Sequence, residues 1–495
     1  MKECFENERV FQERKRFKEC KDITSTKEHY KNERARKNEM RIVVIKVTAR
    51  RMGTFLSLSD GMLYTWTSPI LPLLLSPSSP VPTKESDSAL LENMYLVGGV
   101  IGLPITMYLS GKLSRKTTIL TSALGNLTVW LLTGFGTNQT TLLIARVLAG
   151  LSANISYSTL PMYIAEVSDK NIRGCLGSVI HIMTLLGTIL IYCVGPFLSL
   201  PASSTIGGGI VVFHVLTFSF MPESPYYLLT KGYVHRARRS LQILRCSNDV
   251  EEELTEIEET IKIEYKNKPH LIDLVRTQAN RKVLLIMVVL MFSENFSGIT
   301  VLFMNIHIIF KDIPGTVSEN TMAILFAVIM CCGCVFATFL IDRAGRVSLL
   351  VSSGFFTGIS LLVFSSYLLA KSRGDVSSYN WIPLVTMIIF ASTYKYGVGL
   401  VPVVLASEMF STNVKPAGMA ITAFLFIISG IISISLYYAL KGFGMFVPFY
   451  FFGCCCLLTS LFSLFCIPET KMRSLEEIQE LIGANNSKTV YQEIR

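Results

Sequence analysis

The stretch "CIPETKMRSLEEI", residues 466–478, closes a long apolar segment and becomes polar at once. A similar change occurs at "FMPESPYYLL", residues 220–229. Proline cannot continue a helix interior, because it has no backbone N–H and its ring clashes with the preceding turn. The two motifs therefore mark the ends of two apolar blocks, with Glu223 and Glu469 246 residues apart.

The composition is that of a membrane protein. Half of the 495 residues are hydrophobic and 17% are charged, whereas soluble chains carry about a quarter charged residues. A helix that crosses the bilayer core, roughly 30 Å thick, needs about 20 mostly apolar residues. This fold class is all-α, and it excludes a soluble enzyme. We predict twelve spans, at 53–75, 90–110, 117–137, 141–165, 176–197, 205–222, 283–305, 320–341, 349–369, 381–405, 417–440 and 443–467.

The spans and the polar segments between them predict five parts of the chain. A charged N-terminal arm, expected to be disordered and cytoplasmic, precedes the first span. Two blocks of six helices follow, separated by a cytoplasmic linker in which "EEELTEIEETIKIEY" predicts a surface helix. A cytoplasmic tail ends the chain. These parts are 1–51, 52–222, 223–282, 283–467 and 468–495.

Basic residues indicate how the chain is oriented. They concentrate in the junctions after the even-numbered spans and in the tail. Because cytoplasmic loops carry the excess of Lys and Arg, both termini are predicted to be cytoplasmic. Asn138-Gln139-Thr140 then lies outside and is a candidate glycosylation site. The net charge of +10 reports this orientation and not nucleic-acid binding.

The twelve cysteines lie mostly within apolar runs, such as "CCGC" at 331–334 and "CCC" at 454–456. Their spacing matches neither a zinc site nor a disulfide framework. We therefore interpret them as small buried hydrophobic side chains, and we predict no metal site.

The opening motif belongs to an internal repeat. "LSGKLSRK" at 109–116 matches "LIDRAGRV" at 340–347, "PESPYYLL" matches "PETKMRSL", and a Glu precedes a basic residue by seven positions after both span 4 and span 10. The offsets are 231, 246 and 242 residues. An ordered series of matches indicates that six helices have been duplicated. Parallel repeats of this kind are typical of transporters, with the substrate near the midplane between them.

Charged residues of the repeat predict a cytoplasmic latch within each half. Arginines after spans 2 and 8 can reach carboxylates at the ends of spans 4 and 10, and such pairs could break when the halves rock. The alternative is ordinary surface solvation, in which each pair contributes little. The predicted latch residues are Arg115, Lys116, Glu166, Arg173, Glu223, Asp342, Arg343, Arg346, Glu408, Lys415 and Glu469.

Several motifs together carry a family resemblance. They include "TSPILP" at 67–72, "PMYIAEVSDKNIRG" at 161–174, "FSGI" at 296–299, "SEMF" at 407–410 and "PETKMRSLEEI" at 468–478. From about residue 53 to 480 the chain resembles the sugar porters of the major facilitator superfamily, and most of all the insect facilitated trehalose transporters. The resemblance implies a twelve-helix carrier in two halves that moves a sugar by alternating access, at the plasma membrane and without a cofactor.

The resemblance also implies that polar side chains of spans 5, 7, 10 and 11 bind the sugar. A desolvated sugar hydroxyl needs a hydrogen-bonding partner. This chain departs from the family at Val403, where the family has Trp, and at Phe426-Ile427, where it has Asn-Trp. The polar places of spans 5 and 7 keep polar residues. The predicted substrate-binding residues are Thr67, His181, Glu294, Asn295, Thr300 and Asn305.

Charged residues inside the predicted spans suggest two buried pairs. Charges within a membrane usually face the protein interior and find partners. We expect Asp60 to pair with Arg146, and Glu294 with Lys395. One interpretation is proton coupling, in which a carboxylate alternates between a cation and a proton. The other is a static pair that fixes helix packing.

These patterns leave three hypotheses about function. The first is a facilitative transporter of a hexose or trehalose, with a small-molecule sugar and the lipid bilayer as its partners. The second is a proton-coupled sugar symporter. The third is a sugar sensor that does not transport, which the altered positions in spans 10 and 11 would suit. None involves an enzyme, a nucleic acid or a cofactor, and the sequence has no Walker motif for an ATP-driven pump.

Overall fold

The computed structural model describes residues 54–77, 79, 81, 83–84, 87–168, 173–245, 247, 249–266, 273–311, 313, 317–410, 414–471 and 477. Throughout these residues the regular elements are helices. The predicted arm, 1–51, and all but five residues of the tail lie outside this part of the chain.

The helices form twelve spans in two halves. Nine helices in the described part of the chain are long and apolar enough to cross a membrane. The others are span 1, which is broken, span 4, which carries many polar residues, and span 5, whose apolar helix 179–194 is shorter. In order, spans 1–6 are Phe55–Thr65 with Thr67–Leu74, Ser88–Lys112, Arg115–Phe135, Gln139–Val167, Arg173–Val194 and Leu200–Phe218. Spans 7–12 are Gln278–Asn295 with Ile299–Lys311, Glu319–Ala344, Arg346–Arg373, Ile382–Tyr396 with Val401–Met409, Lys415–Lys441 and Phe446–Cys466.

Three spans are interrupted within the bundle. Span 1 bends at Trp66, span 7 is interrupted at 296–298, and span 10 at 397–400. At the second interruption Gly298 has φ +81°, a left-handed conformation that glycine adopts without steric cost. Transporters use such interruptions to bring backbone polar groups to a central site. We therefore expect spans 1, 7 and 10 to line it.

Glycines allow the closest helix crossings in the first half. A Cβ added to Gly150 in span 4 would lie 1.7 Å from the carbonyl oxygen of Tyr95 in span 2, and one added to Gly98 would lie 2.0 Å from that of Val147. Helices packed within a membrane depend on such small residues for close contact. Spans 2 and 4 therefore pack backbone against backbone.

The linker between the halves contains four short helices: Pro225–Thr230, Val234–Arg245, Glu251–Lys266 and Asp273–Arg276. The first three enclose a small apolar cluster that includes Leu228, Leu241 and Leu254. Arg245 bonds Glu253 at 2.6 Å and donates to the carbonyl of Val167, at the end of span 4, at 3.0 Å. These contacts fasten the linker to the first half.

Candidate functional site

The Pro-Glu-Ser motif of the first half lies in a network of charged side chains. Arg115 Nε donates to Glu166 Oε1 at 3.2 Å, and the hydroxyl of Ser224 donates to the other carboxylate oxygen. Glu223 Oε1 accepts from the backbone N–H of Lys116 at 3.2 Å, at the start of span 3. The motif therefore joins the ends of spans 3, 4 and 6.

The second half repeats this network with its own residues. Arg346 Nη2 donates to Glu408 Oε1 at 2.9 Å, and Thr470 Oγ1 donates to Glu408 Oε2 at 2.6 Å. Glu469 accepts from the backbone N–H groups of Arg346 and Val347, at 2.9 and 3.0 Å, at the start of span 9. The two motifs thus occupy equivalent places in the duplicated halves.

We call the side of the bundle that carries these networks the motif face. The contacts given above each stay within one half, so they hold its helices together and do not join one half to the other. Arg343 is exposed, and its carbonyl accepts from Lys471 Nζ at 2.7 Å. Lys415 begins span 11. The side chains of Arg173 and Asp342 lie outside the described part of the chain.

The two halves contact each other at the other end of the bundle, which we call the far face. Ser68 Oγ lies 2.8 Å from His307 Nδ1, between the second segments of spans 1 and 7. The hydroxyl of Tyr192 in span 5 donates to the carbonyl of Phe303 at 2.6 Å. Ser68, His307 and Tyr192 are at most 2% exposed. The far face is therefore closed.

A carboxylate that the sequence analysis did not single out lies at this closure. Glu92, one turn into span 2, is 0% exposed. Its oxygens accept from Asn305 Nδ2 in span 7 and contact the hydroxyl of Tyr438 in span 11, both at 3.0 Å. The only sequence signal was a Glu just inside the predicted span, where acidic residues often mark a solvated helix end.

The predicted pair of Asp60 and Arg146 is wrong. Asp60 instead accepts a 2.7 Å hydrogen bond from Asn126 Nδ2 in span 3. Arg146 donates to the carbonyls of Leu63, at 2.6 Å, and Leu91, at 3.2 Å. The first segment of span 1 ends at Thr65, so the carbonyl of Leu63 is in its last turn, where carbonyls lack a partner within the helix.

The predicted contact between Glu294 and Lys395 is also absent from the described residues. Lys395 Nζ donates to the carbonyl of Gly399 at 3.4 Å, where span 10 is interrupted. The Lys395 ammonium and the Glu294 carboxylate make no contact within 4.0 Å. Glu294 is 8% exposed, and its Oε2 has no hydrogen-bond partner among the described residues. This oxygen is a candidate acceptor for a ligand.

Other predicted sugar-binding groups of span 7 bond to the protein. Asn295 Nδ2 donates to Ser429 Oγ at 2.8 Å and to the carbonyl of Phe426 at 2.9 Å, in span 11. Thr300 Oγ1 donates to Asn295 Oδ1 at 2.6 Å and accepts from Tyr64 of the first half at 3.3 Å. Asn295 and Thr300 therefore join spans 1, 7 and 11 in this conformation.

The remaining predicted positions lie in other environments. The ring of His181 is half-buried and lies edge-on to that of Tyr157, with centroids 6.2 Å apart. Tyr157 is 55% exposed and Val403 is 37% exposed, whereas Thr67 is buried. The hydroxyl of Thr67 has no hydrogen-bond partner in the described part of the chain. No group of three or more metal-ligating side chains occurs there either.

Two duplicated six-helix halves, with interrupted spans and a polar contact between them, define a transporter of the major facilitator type. The sugar (and other) transporter family matches residues 16–482, and the chain belongs to this family. Its relatives include facilitated trehalose transporters Tret1 of Polypedilum vanderplanki, 33% identical over 78% of this chain and 76% of that one, and of Apis mellifera ligustica, 30% identical with the same coverage.

Solved structures share the fold. The xylose transporter XylE from E. coli, in an inward open conformation, superimposes with a TM-score of 0.72 at 19% identity. The proton:xylose symporter XylE bound to 6-bromo-6-deoxy-D-glucose gives 0.70 at 20% identity. Each comparison covers 89% of this chain and 99% of XylE. At this identity the likeness shows the fold alone.

Proposed function

We propose that this protein is a facilitative carrier for a hexose or trehalose, in which spans 1–6 rock against spans 7–12. The observation that carries the proposal is the asymmetry between the two faces. Hydrogen bonds such as Ser68–His307 join the halves at the far face, whereas the charge networks of the motif face stay within each half. Such a molecule can open at one face while each half remains intact.

The choice of substrate rests on the family and on groups that remain available for hydrogen bonds. The two named relatives are facilitated trehalose transporters. Glu294 Oε2, which has no hydrogen-bond partner among the described residues, is an acceptor for a sugar hydroxyl. The half-buried ring of His181 is a further polar group proposed for the site. Thr300 and Asn305 are proposed to contribute when the far face opens, because they then lose their partners in the first half, Tyr64 and Glu92. Asn295 and Thr67, whose hydroxyl has no hydrogen-bond partner among the described residues, complete the proposed set.

The proposed orientation follows from the basic junctions of the sequence. The motif face carries Arg115, Lys116 and Arg346, so we assign it to the cytoplasm and the far face to the exterior of the cell. Asn138 is exposed and accepts from the backbone N–H of Thr141 at 2.8 Å, capping span 4 at the far end. The proposed orientation makes it accessible for glycosylation at the plasma membrane.

A proton-coupled symporter is the second candidate. The buried, incompletely bonded carboxylate of Glu294 favours it, and XylE is named a proton:xylose symporter. The environment of Asp60 argues against proton coupling. Asp60 bonds the neutral Asn126 and makes no ion pair with Arg146, so there is no ion pair that a proton could replace.

Uptake of labelled trehalose and glucose by oocytes that express the full chain tests both candidates. We expect saturable uptake of one of these sugars, without accumulation at either acidic or neutral external pH. Asp60→Asn should keep this uptake within about twofold, because an amide oxygen can accept the same bond from Asn126. Uptake of neither sugar by protein at the cell surface would refute the carrier proposal. Accumulation at acidic pH that Asp60→Asn or Glu294→Gln abolishes would establish coupling instead.

A further inference from the structure

Glu92 belongs to a closed ring of three polar contacts, two of which join the halves and one of which lies within the second half. Asn305 Nδ2 lies 3.0 Å from Glu92 Oε2, Tyr438 Oη lies 3.0 Å from Glu92 Oε1, and Tyr438 Oη lies 3.1 Å from Asn305 Oδ1. Glu92 and Asn305 are at most 1% exposed. Each side of the ring is thus as short as a normal hydrogen bond.

Counting hydrogens shows that the ring lacks one when Glu92 is ionised. A tyrosine hydroxyl carries a single hydrogen, and an ionised carboxylate carries none. The amide of Asn305 supplies the hydrogen of one contact, and Tyr438 supplies that of one more. The third contact then joins two oxygens without a hydrogen. Rotating the amide, whose N and O positions are assigned from the bonding pattern, moves the gap to another side but does not fill it.

A proton on Glu92 completes the ring. Its carboxyl O–H donates to Tyr438 Oη, Tyr438 donates to Asn305 Oδ1, and Asn305 donates to the other oxygen of Glu92. A tyrosine hydrogen shared between two acceptors is the alternative. It would leave a buried anion held by neutral groups alone, which is costly.

The charged groups around Glu92 are directed elsewhere or lie farther away. In span 4 Arg146 donates to backbone carbonyls, and its guanidinium lies 4.7 Å from the centroid of the Tyr95 ring. In the described residues, no cation lies within 4.0 Å of the carboxylate. Titratable groups of the surrounding spans include Tyr64 in span 1, Arg146 in span 4, His307 in span 7, and Tyr438 and Lys441 in span 11.

We propose that Glu92 is a proton-binding site that controls the far face. It holds a proton while the halves are closed there, and releases it to solvent when they separate. Linkage then requires that low pH favours closure and that rising pH favours opening, because the closed state binds one more proton. This proposal concerns opening alone, so its test does not depend on the identity of the sugar.

Hydrogen–deuterium exchange of the full chain in lipid nanodiscs tests it. The readout is exchange in Thr67–Leu74 and Ile299–Lys311, compared between the wild type and Glu92→Gln at each pH from about 5 to about 9. This range lies above the ordinary pKa of a solvated glutamate, about 4.3. Comparison at equal pH cancels the intrinsic pH dependence of amide exchange.

The amide of Glu92→Gln reproduces the protonated ring, since its NH₂ can donate to Tyr438. We expect equal exchange at the acidic end and progressively more in the wild type as pH rises. Asp60→Asn makes the same change from carboxylate to amide within one half, and should keep the wild-type response. Equal exchange at every pH, or a constant difference, would overturn the proposal.

Tyr438→Phe tests the proposal with Glu92 intact. It removes the oxygen that accepts the proton of Glu92, so the closed protonated state is less stable. The pH at which exchange rises should fall by about one unit, the effect of one lost hydrogen bond. An unchanged transition would contradict the hydrogen arrangement. Tyr438→Phe also answers the question if Glu92→Gln fails to fold.

Discussion

Glu469 shows how much one carboxylate can organise. It accepts hydrogen bonds from the first two backbone N–H groups of span 9, which have no partner within the helix. It also stands beside Thr470, which bonds Glu408. The Pro-Glu-Thr motif follows the last span of the second half, and its Glu469 therefore also caps the start of span 9 in that half.

Glu469→Ala should lower the free energy of unfolding by about 1–2 kcal/mol, because it leaves two helix-start N–H groups without an acceptor. Thermal unfolding in detergent measures the loss. Glu319→Ala removes an acid from the first turn of span 8 and is the control, with an expected loss of about 0.5 kcal/mol. Equal losses in both variants would refute the capping role.

The charged networks of the motif face were predictable from the sequence, because the same pattern of Arg and Glu residues occurs in both halves. Single intramembrane charges were harder. The sequence shows neither how a helix is rotated about its axis nor how deep a residue lies in the membrane. It therefore predicts Arg146 as the partner of Asp60, whereas the structure has Asn126. The role of Glu92 is not predictable from the sequence, because nothing in it indicates that Asn305 and Tyr438 lie next to Glu92.

Among the described helices, spans 2 and 4 cross with their backbones in close contact at Gly150. Gly150→Ala places a methyl group 1.7 Å from the carbonyl of Tyr95, and a backbone atom cannot yield as a flexible side chain would. We expect a loss of about 2–3 kcal/mol in stability. The measurements are thermal unfolding and the yield of monodisperse protein.

Gly209→Ala is the matched control, because a Cβ there meets nothing within 4 Å. Alanine at this position in span 6 should stabilise the helix by up to about 1 kcal/mol. A loss at Gly209 as large as at Gly150 would mean that the crossing is not the cause.

Sequence predicted the spans well where apolar runs are continuous, as in spans 9 and 12. It did not predict the interruptions. The sequence predicts one continuous helix for span 7, because "ENFSGIT" is largely compatible with a helix. In the structure Gly298 has a positive φ and the helix is interrupted there. A glycine can interrupt a helix or allow two helices to cross closely, and which of the two occurs depends on the residues packed around it.

For the whole molecule, the balance between conformations depends on contacts between the halves. Tyr192→Phe removes the 2.6 Å hydrogen bond from span 5 to the carbonyl of Phe303 in span 7. One such bond contributes about 1 kcal/mol, so the ratio of open to closed far face should rise about fivefold. Deuterium exchange in Ile299–Lys311 measures this change.

Tyr163→Phe is the matched control, since its hydroxyl donates to the carbonyl of Pro222 at 2.8 Å within the first half. It should lower stability and leave exchange at the far face unaltered. A similar rise in both variants would indicate general loosening of the protein.

The charged networks and the contact between the halves lie at opposite faces of the bundle, and this determines how the protein responds to salt. Dissolved ions screen exposed charge pairs and leave buried neutral hydrogen bonds almost unaffected. The pairs Arg115–Glu166 and Arg346–Glu408 are partly buried and lie inside single halves. The contacts Ser68–His307 and Tyr192–Phe303, which join the halves at the far face, use hydroxyl, imidazole and carbonyl groups. Salt should therefore loosen each half only moderately, because partly buried pairs are screened less than exposed ones, and it should change these two contacts between the halves still less.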